Sequence, residues 1–237
     1  MSDQTPPVAV ITGASQGIGA SLVPAYRKLG YAVLGTSRTM GPSDDPMIAT
    51  VRGDIATADT AERVTRGAIE RFGRIDTLIN NAGVFVAKRF TQYTEEEYAL
   101  VTGVKLGGFF HITRRAIEHI ERLGGGHVVN ITTTLVEHAD VRVPVGLASL
   151  TKGGLAAVTK SLATECAATG IRVNAVSPGV IKTPMHSPAT YDGLGTLHPM
   201  GRMGETSDVV SAIMYLESAP FVTGEFMHVD GGQSAGH

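Results

Sequence analysis

The sequence predicts a single α/β domain of the Rossmann type. Its doubly wound parallel sheet has about seven strands, with helices on both faces. Three observations lead there. Short, wholly apolar runs recur along 237 residues, helical patterns separate them, and a glycine-rich turn joins the first run to the first helix. Apolar runs without period-two alternation imply strands buried on both faces, the mark of a parallel sheet covered by crossover helices. Length suits one domain over residues 1–237. An apolar fraction of 43% against 18% charged residues is enough for a large core.

In chain order, residues 8–11 (Val-Ala-Val-Ile) form the first strand and residues 17–29 a helix ending at Gly30. Residues 31–36 and 48–51 are the second and third strands, separated by a Gly/Pro/Asp loop over 39–47. A helix over 57–72 leads to a fourth strand at 77–80. Thr94, followed by Glu95, Glu96 and Glu97, reads as an N-cap with carboxylates in the first turn. A long helix through 99–123 precedes the fifth strand at 127–131, and a helix over about 149–169 precedes the sixth at 172–176. Residues 226–229 are the last strand. The segment 184–204 is irregular, with Pro184, Pro188 and Pro199, and its place at the rim of such a sheet fits a substrate lid.

Composition narrows the function. The net charge of −2, with no basic block, argues against nucleic acid or a membrane surface as partner. No apolar stretch approaches the roughly 20 residues that span a bilayer, and the polar start is unlike a signal peptide. Cys166 is the lone cysteine, so no intrachain disulfide forms; a small-molecule substrate and a cytoplasmic setting are the expectations. No His/Cys/Asp/Glu spacing suggests a metal.

The turn Thr12-Gly13-Ala14-Ser15-Gln16-Gly17-Ile18-Gly19 allows backbone to approach a diphosphate at a helix N-terminus. Thr36-Ser37-Arg38 ends the second strand without the carboxylate that a ribose 2′-hydroxyl would want. Arg38 and Ser37 instead suit a 2′-phosphate, which points to NADP(H). Further motifs follow in order: Asp54-Ile55, Asn80-Asn81-Ala82-Gly83, Pro178-Gly179 with Ile181 and Thr183, and Val229-Asp230-Gly231-Gly232.

With these motifs the chain resembles the short-chain dehydrogenase/reductases from Val8 to Gly232. The resemblance implies cofactor contacts from Gly13, Ser15, Gln16, Gly17, Ile18 and Gly19, with Asp54 and Ile55 beside the adenine. It also implies contacts from Asn81, Ala82, Gly83 and Lys152, and from Pro178, Gly179, Ile181 and Thr183 at the nicotinamide. Such enzymes are commonly homo-oligomers, tetramers or dimers. Their catalytic set is asparagine, serine, tyrosine and lysine, and aligning it here gives Lys105, Thr133, Ala148 and Lys152. Alanine cannot donate a proton. The site therefore needs another donor, with Lys105 and His138 the first candidates and His186, Tyr191 and His198 in the lid behind them. Two lysines side by side depress each other's pKa, which brings one within reach of acid–base work. Two functions remain open at this level. One is an NADP(H)-dependent oxidoreductase of a carbonyl, alcohol or imine with an altered donor; the other is an inactive NADP(H)-binding sensor or partner subunit.

Overall fold

The computed structural model describes residues 5–236, and in it seven strands form one parallel sheet. They are β1 (Val8–Thr12), β2 (Ala32–Ser37), β3 (Ile48–Arg52), β4 (Thr77–Asn80), β5 (Gly126–Ile131), β6 (Ile171–Pro178) and β7 (Phe226–Val229), in the spatial order β3-β2-β1-β4-β5-β6-β7. The chain reverses its direction of winding between β1 and β4, which opens a crevice at the carboxyl ends of those strands. The expected fold class is the observed one.

Both faces of the sheet are covered, which explains the unbroken apolar runs. Val8, Val10, Leu34, Leu78 and Val128 face α2 (Ala58–Phe72) and α4 (Gly108–Arg122), against Val64, Ala68, Ile112, Ala116 and Ile120. The alternate residues Ala9, Ile11, Val33, Ile79 and Val129 face α1 (Gly17–Lys28) and α7 (Thr206–Ser218), against Leu22, Tyr26, Val209 and Ile213. A strand serving two cores cannot alternate apolar with polar. A buried relay of side chains then fixes helix to sheet. Asn80 donates to Thr113 on α4 and to Asn130 on β5, and Asn130 donates to Thr159 on α5 (Gly146–Glu165).

Two helices differ from their sequence reading. The stretch expected as one helix over 99–123 is α3 (Glu95–Thr102), a π-helical turn over Gly103–Gly107, and α4. Gly103, Gly107 and Gly108 crowd this turn and let it press against Ala56 and Ile55. Thr94 does cap α3, in a reciprocal box with Glu97. The next helix, α5, starts at Gly146 rather than 149, because Leu147 and Ala148 favour helix and Pro144 stops extension only before them. Its end at Glu165 gives way to a 3-10 turn, Ala167–Thr169. The segment 184–204 holds a 3-10 turn and the short helix α6 (Tyr191–Gly195). No helix among the described residues is long and apolar enough to cross a membrane.

The amino-terminal edge of the sheet is closed by Glu217 at the end of α7. Its side chain is only 9% exposed, yet it accepts from Tyr26 (2.8 Å), Tyr31 (3.1 Å), Thr77 (2.9 Å) and His127 Nδ1 (3.0 Å). Asn174 fixes the tautomer of His127. Its Oδ1 accepts from Glu225 N, so its Nδ2 must donate to His127 Nε2. The imidazole is neutral, and burial holds its pKa below the ordinary value. Burial opposes ionisation of Glu217, but donation from His127, Tyr26 and Thr77 wins and brings its pKa to about 2.

Both shifts make the fold acid-sensitive. The unfolded chain protonates its histidine near about pH 6.5 while folded His127 resists, so stability declines as pH falls below that value. Glu217 adds a loss as pH falls through its ordinary 4.5 towards about 2. Glu217→Gln is expected to cost about 3 kcal/mol at pH 7 and to flatten the stability profile below pH 5. Urea unfolding at stepped pH measures both, and parallel curves for the variant and wild type would refute the assignment.

Candidate functional site

A cleft of about 340 Å³ runs across the carboxyl ends of the strands, from Arg38 at one end to His186 at the other. Thr12 shapes its middle. The buried hydroxyl donates to Ile79 O at 3.1 Å and accepts from the backbone of Asn81 and Ala82, both at 3.0 Å. The Asn81 side chain returns two hydrogen bonds, to Thr12 O and Gly13 O. Gly13 then turns at φ +68°, and the chain enters α1. Gln16 precedes that helix without capping it through its side chain. The first N–H groups of α1 therefore open onto Ser15, Gln16, Gly17 and Ile18, all lining the cleft, a setting for an anion.

At one end the cleft is walled by Ser37, Arg38, Thr39, Gly53, Asp54 and Ile55. Ser37 Oγ accepts from Thr39 N, and Thr39 reaches across to Ser15. Arg38 is exposed and has no acidic partner among the described residues. Its carbonyl accepts from Arg52 Nε at 2.9 Å, so a second guanidinium stands beside it; sequence reading missed Arg52, because only strand pairing brings residues 37 and 52 together.

The opposite end is lined by Asn81, Ala82, Gly83, Val84, Val104, Lys105, Ile131, Lys152, Pro178, Gly179, Ile181, Thr183, Met185 and His186. The two lysines are its distinctive chemistry. Lys105 sits in the π-helical turn, is 7% exposed, and donates to Ala82 O at 3.3 Å. Lys152 on α5 donates to Thr132 O at 2.5 Å. Neither amine has a carboxylate partner among the described residues. Burial pulls Lys105 down to about 8, and burial together with the charge of Lys105 holds Lys152 well below the lysine range. Space for Lys105 comes from Gly83, where a Cβ would lie 1.9 Å from the lysine Nζ.

Ala148, one helical turn before Lys152, is packed with Leu135 and Val145 against Phe85 and Val143. That cluster is wholly apolar, and among the described residues no tyrosine lines the cleft. Of the sequence candidates, Lys105 and Lys152 meet in the cleft and His186 lies at its edge, with its ring against Phe85. Thr133 is half-buried just after β5 and His138 follows the next turn; neither lines the cleft. Tyr191 lies instead under the Lys182 amine, and His198 lies behind Gly179. No group of three or more metal-ligating residues occurs among the described residues.

Known proteins resemble this chain in sequence and in fold. A family model described as enoyl-(acyl carrier protein) reductase matches residues 13–234. The 2-dehydro-3-deoxy-D-gluconate 5-dehydrogenase of Bacillus subtilis is 33% identical over 94% of this chain and 93% of its own. A solved structure of ElxO with NADP bound superposes with a TM-score of 0.90 at 27% identity, covering 98% of this chain and 100% of that one. The 3-ketoacyl-(acyl-carrier-protein) reductase of Brucella melitensis, complexed with NADH, gives 0.88 at 30% identity, covering 96% and 98%.

The Thr12 clasp predicts a stability cost that is separate from any chemistry. Thr12→Val keeps the shape but strands the Ala82 N–H and leaves Asn81 N and Ile79 O only their 3.1 Å contact with each other, so unfolding free energy should drop by about 2 kcal/mol. Thr12→Ser should restore most of it. Equal urea midpoints for Thr12→Val and wild type would show that the clasp contributes nothing.

Proposed function

On the premise that this chain belongs to the short-chain dehydrogenase/reductase family of oxidoreductases, we propose that it uses NADP(H) and that Lys105 is its proton donor. One observation carries the reading. Two amines, Lys105 and Lys152, line the end of the cleft opposite Arg38, and among the described residues neither has a carboxylate partner and no phenol lines the cleft with them. The substrate class is a small or mid-sized carbonyl compound, its alcohol, or an imine.

NADP(H) is favoured over NAD(H) by the open end of the cleft. Arg38, with Arg52 beside it, offers guanidinium groups to a 2′-phosphate, and β2 ends without a carboxylate. Ser15, Gln16, Gly17 and Ile18 would hold the diphosphate, with Gly13 forming the turn before them and Gly19 packed closely behind that turn. Asp54 and Ile55 would flank the adenine. Asn81, Ala82, Gly83 and Lys152 would face the nicotinamide ribose, and Pro178, Gly179, Ile181 and Thr183 the nicotinamide itself.

The bound dinucleotide supplies the hydride; the protein must supply the proton. Ala148 takes the tyrosine position of the family pattern, and its methyl group has no proton to give. A positioned acid is worth about 10²- to 10⁴-fold, roughly 3–5 kcal/mol of barrier. An ammonium with a pKa of about 8 is suited to restore it. Lys105 gives its proton to the forming alkoxide and regains one from solvent, while Lys152 keeps the ribose in place. Thr133 and His138, outside the cleft, have no part in this reading. An imine needs no proton on oxygen and would depend less on Lys105. The segment 184–204 acts as the substrate lid, and a homo-oligomer is supported by the exposed Leu106, Phe110 and Leu150 on neighbouring helices.

Single-turnover oxidation of NADPH against ketones, aldehydes and cyclic imines tests this directly. Carbonyl reduction should slow as pH rises through about 8, because the donor loses its proton. Lys105→Met should cut the rate about 100-fold or more and abolish that inflection. Arg38→Asp should move cofactor preference towards NADH by about tenfold or more. Tight NADPH binding without turnover of any member would favour a sensor or partner subunit, and an unchanged pH profile in Lys105→Met would remove the lysine from its role.

A further inference from the structure

His198 sits at the far end of segment 184–204 but points into the protein, and it is 3% exposed. Its Nε2 accepts a hydrogen bond from the backbone N–H of Val180 at 2.9 Å. Val180 follows Pro178 and Gly179, whose backbone forms one wall of the cleft. The ring also occupies the space that a side chain at 179 would need: a Cβ there would lie 2.6 Å from Nε2 and 2.9 Å from Cδ2. On the other side of Val180 the carbonyl accepts from Gly204 N at 3.0 Å, and Lys182 N donates to Gly204 O at 2.8 Å. Both peptide groups of Val180 are thus held by the end of the 184–204 segment. Behind the ring, Gly231 comes within 3.2 Å of His198 Cβ when given a Cβ.

We propose that His198 is a positioning residue: its bare Nε2 holds the Pro178-Gly179-Val180 wall at the nicotinamide end of the cleft and couples that wall to the lid. This rests on the NADP(H) reading above. A donor N–H aimed at Nε2 allows only the tautomer protonated on Nδ1. That Nδ1 is buried and makes no hydrogen bond among the described residues, although the Gly195 carbonyl acts favourably on it. A second proton would set two N–H donors face to face and break the contact to Val180. The wall is therefore held only while the ring is neutral, and it loosens in acid.

The surrounding charges are already engaged. Asp230 favours the protonated ring and Arg202 opposes it. Asp230 accepts from Thr134, Gly232 N and Ser234 N, and Arg202 pairs with Asp208 at 3.1 Å. His228, on the same side as these, pairs with Glu137 at 3.1 Å. Burial holds the His198 pKa below the ordinary histidine value, which keeps the ring neutral at pH 7.

NADPH fluorescence titration of wild type, His198→Gln and His198→Leu at pH 7.5 and 5.0 tests the proposal. Glutamine carries an acceptor to the Nε2 position and does not titrate; leucine carries none. At pH 7.5, His198→Leu should weaken NADPH binding about tenfold, the equivalent of one lost hydrogen bond, and raise KM for NADPH more than it lowers kcat. His198→Gln should stay within about threefold of wild type at pH 7.5 and, unlike wild type, lose little more at pH 5.0. Identical pH dependence in wild type and His198→Gln overturns the proposal, even if the leucine variant fails to fold. So does wild-type affinity in a folded His198→Leu. Failure of wild type to bind NADPH at all would instead overturn the function on which the proposal rests.

Discussion

The architecture of the cleft depends on one hydroxyl group. Thr12 ends β1 with a side chain that would otherwise be an apolar core residue, and its oxygen binds one carbonyl within β4 and two backbone N–H groups just after it. Parallel strands joined by helices share no turn, so nothing covalent sets the relative height of their carboxyl ends. The β1–β4 ladder sets it, and the hydroxyl carries that registration past the ladder's end to Asn81 and Ala82. With β1 and β4 locked level, Asn81 reaches the turn at Gly13, the N-terminus of α1 faces the crevice, and Gly83 lies beneath Lys105. Moving either strand by one residue would also exchange the faces presented to the two cores, so the clasp and the apolar packing enforce the same alignment.

The two edges of the sheet treat buried charge in opposite ways. At the amino-terminal edge, Glu217 is ionised and receives four donors, and its partners are themselves bonded to α1, β4, β5 and β6. A charge so completely answered is inert and binds elements together. At the carboxyl edge, Lys105 and Lys152 each meet one backbone carbonyl and, among the described residues, no anion. Buried amines left this way are costly to protonate, and that cost is the source of their lowered pKa values. Unanswered charge at the carboxyl ends of parallel strands is what a chemical site requires, and the rigid network at the opposite edge holds the sheet that presents it.

Much of this was legible in the chain. The strands were, because each serves two cores and so reads as an unbroken apolar run. So was the cradle, because a glycine turn between a buried strand and a helix has few other uses, and the absence of an acid after Thr36 could be seen directly. The π-helical turn was not legible, since residues 99–123 carry a continuous helical pattern and the extra residue is accommodated by packing on Ile55 and Ala56. His198 was read only as a secondary donor candidate in the lid. Its real environment depends on Val180 and Gly231, each distant in sequence, and no local pattern reports a contact of that kind. Arg52 escaped notice for the same reason, since its neighbour Arg38 lies across a strand pair.

The close fit of Gly83 and Lys105 has a consequence for how this site responds to substitution. The only atoms within 3.5 Å of a methyl group added at 83 belong to the lysine side chain, while the reverse restriction does not hold, because shortening residue 105 disturbs nothing at 83. A side chain at 83 would push the tip of the lysine out of its present place without touching the backbone of the turn that carries it. Glycine at 83 therefore sets where the amine stands, and a change there would relocate the amine and leave the rest of the turn as it is.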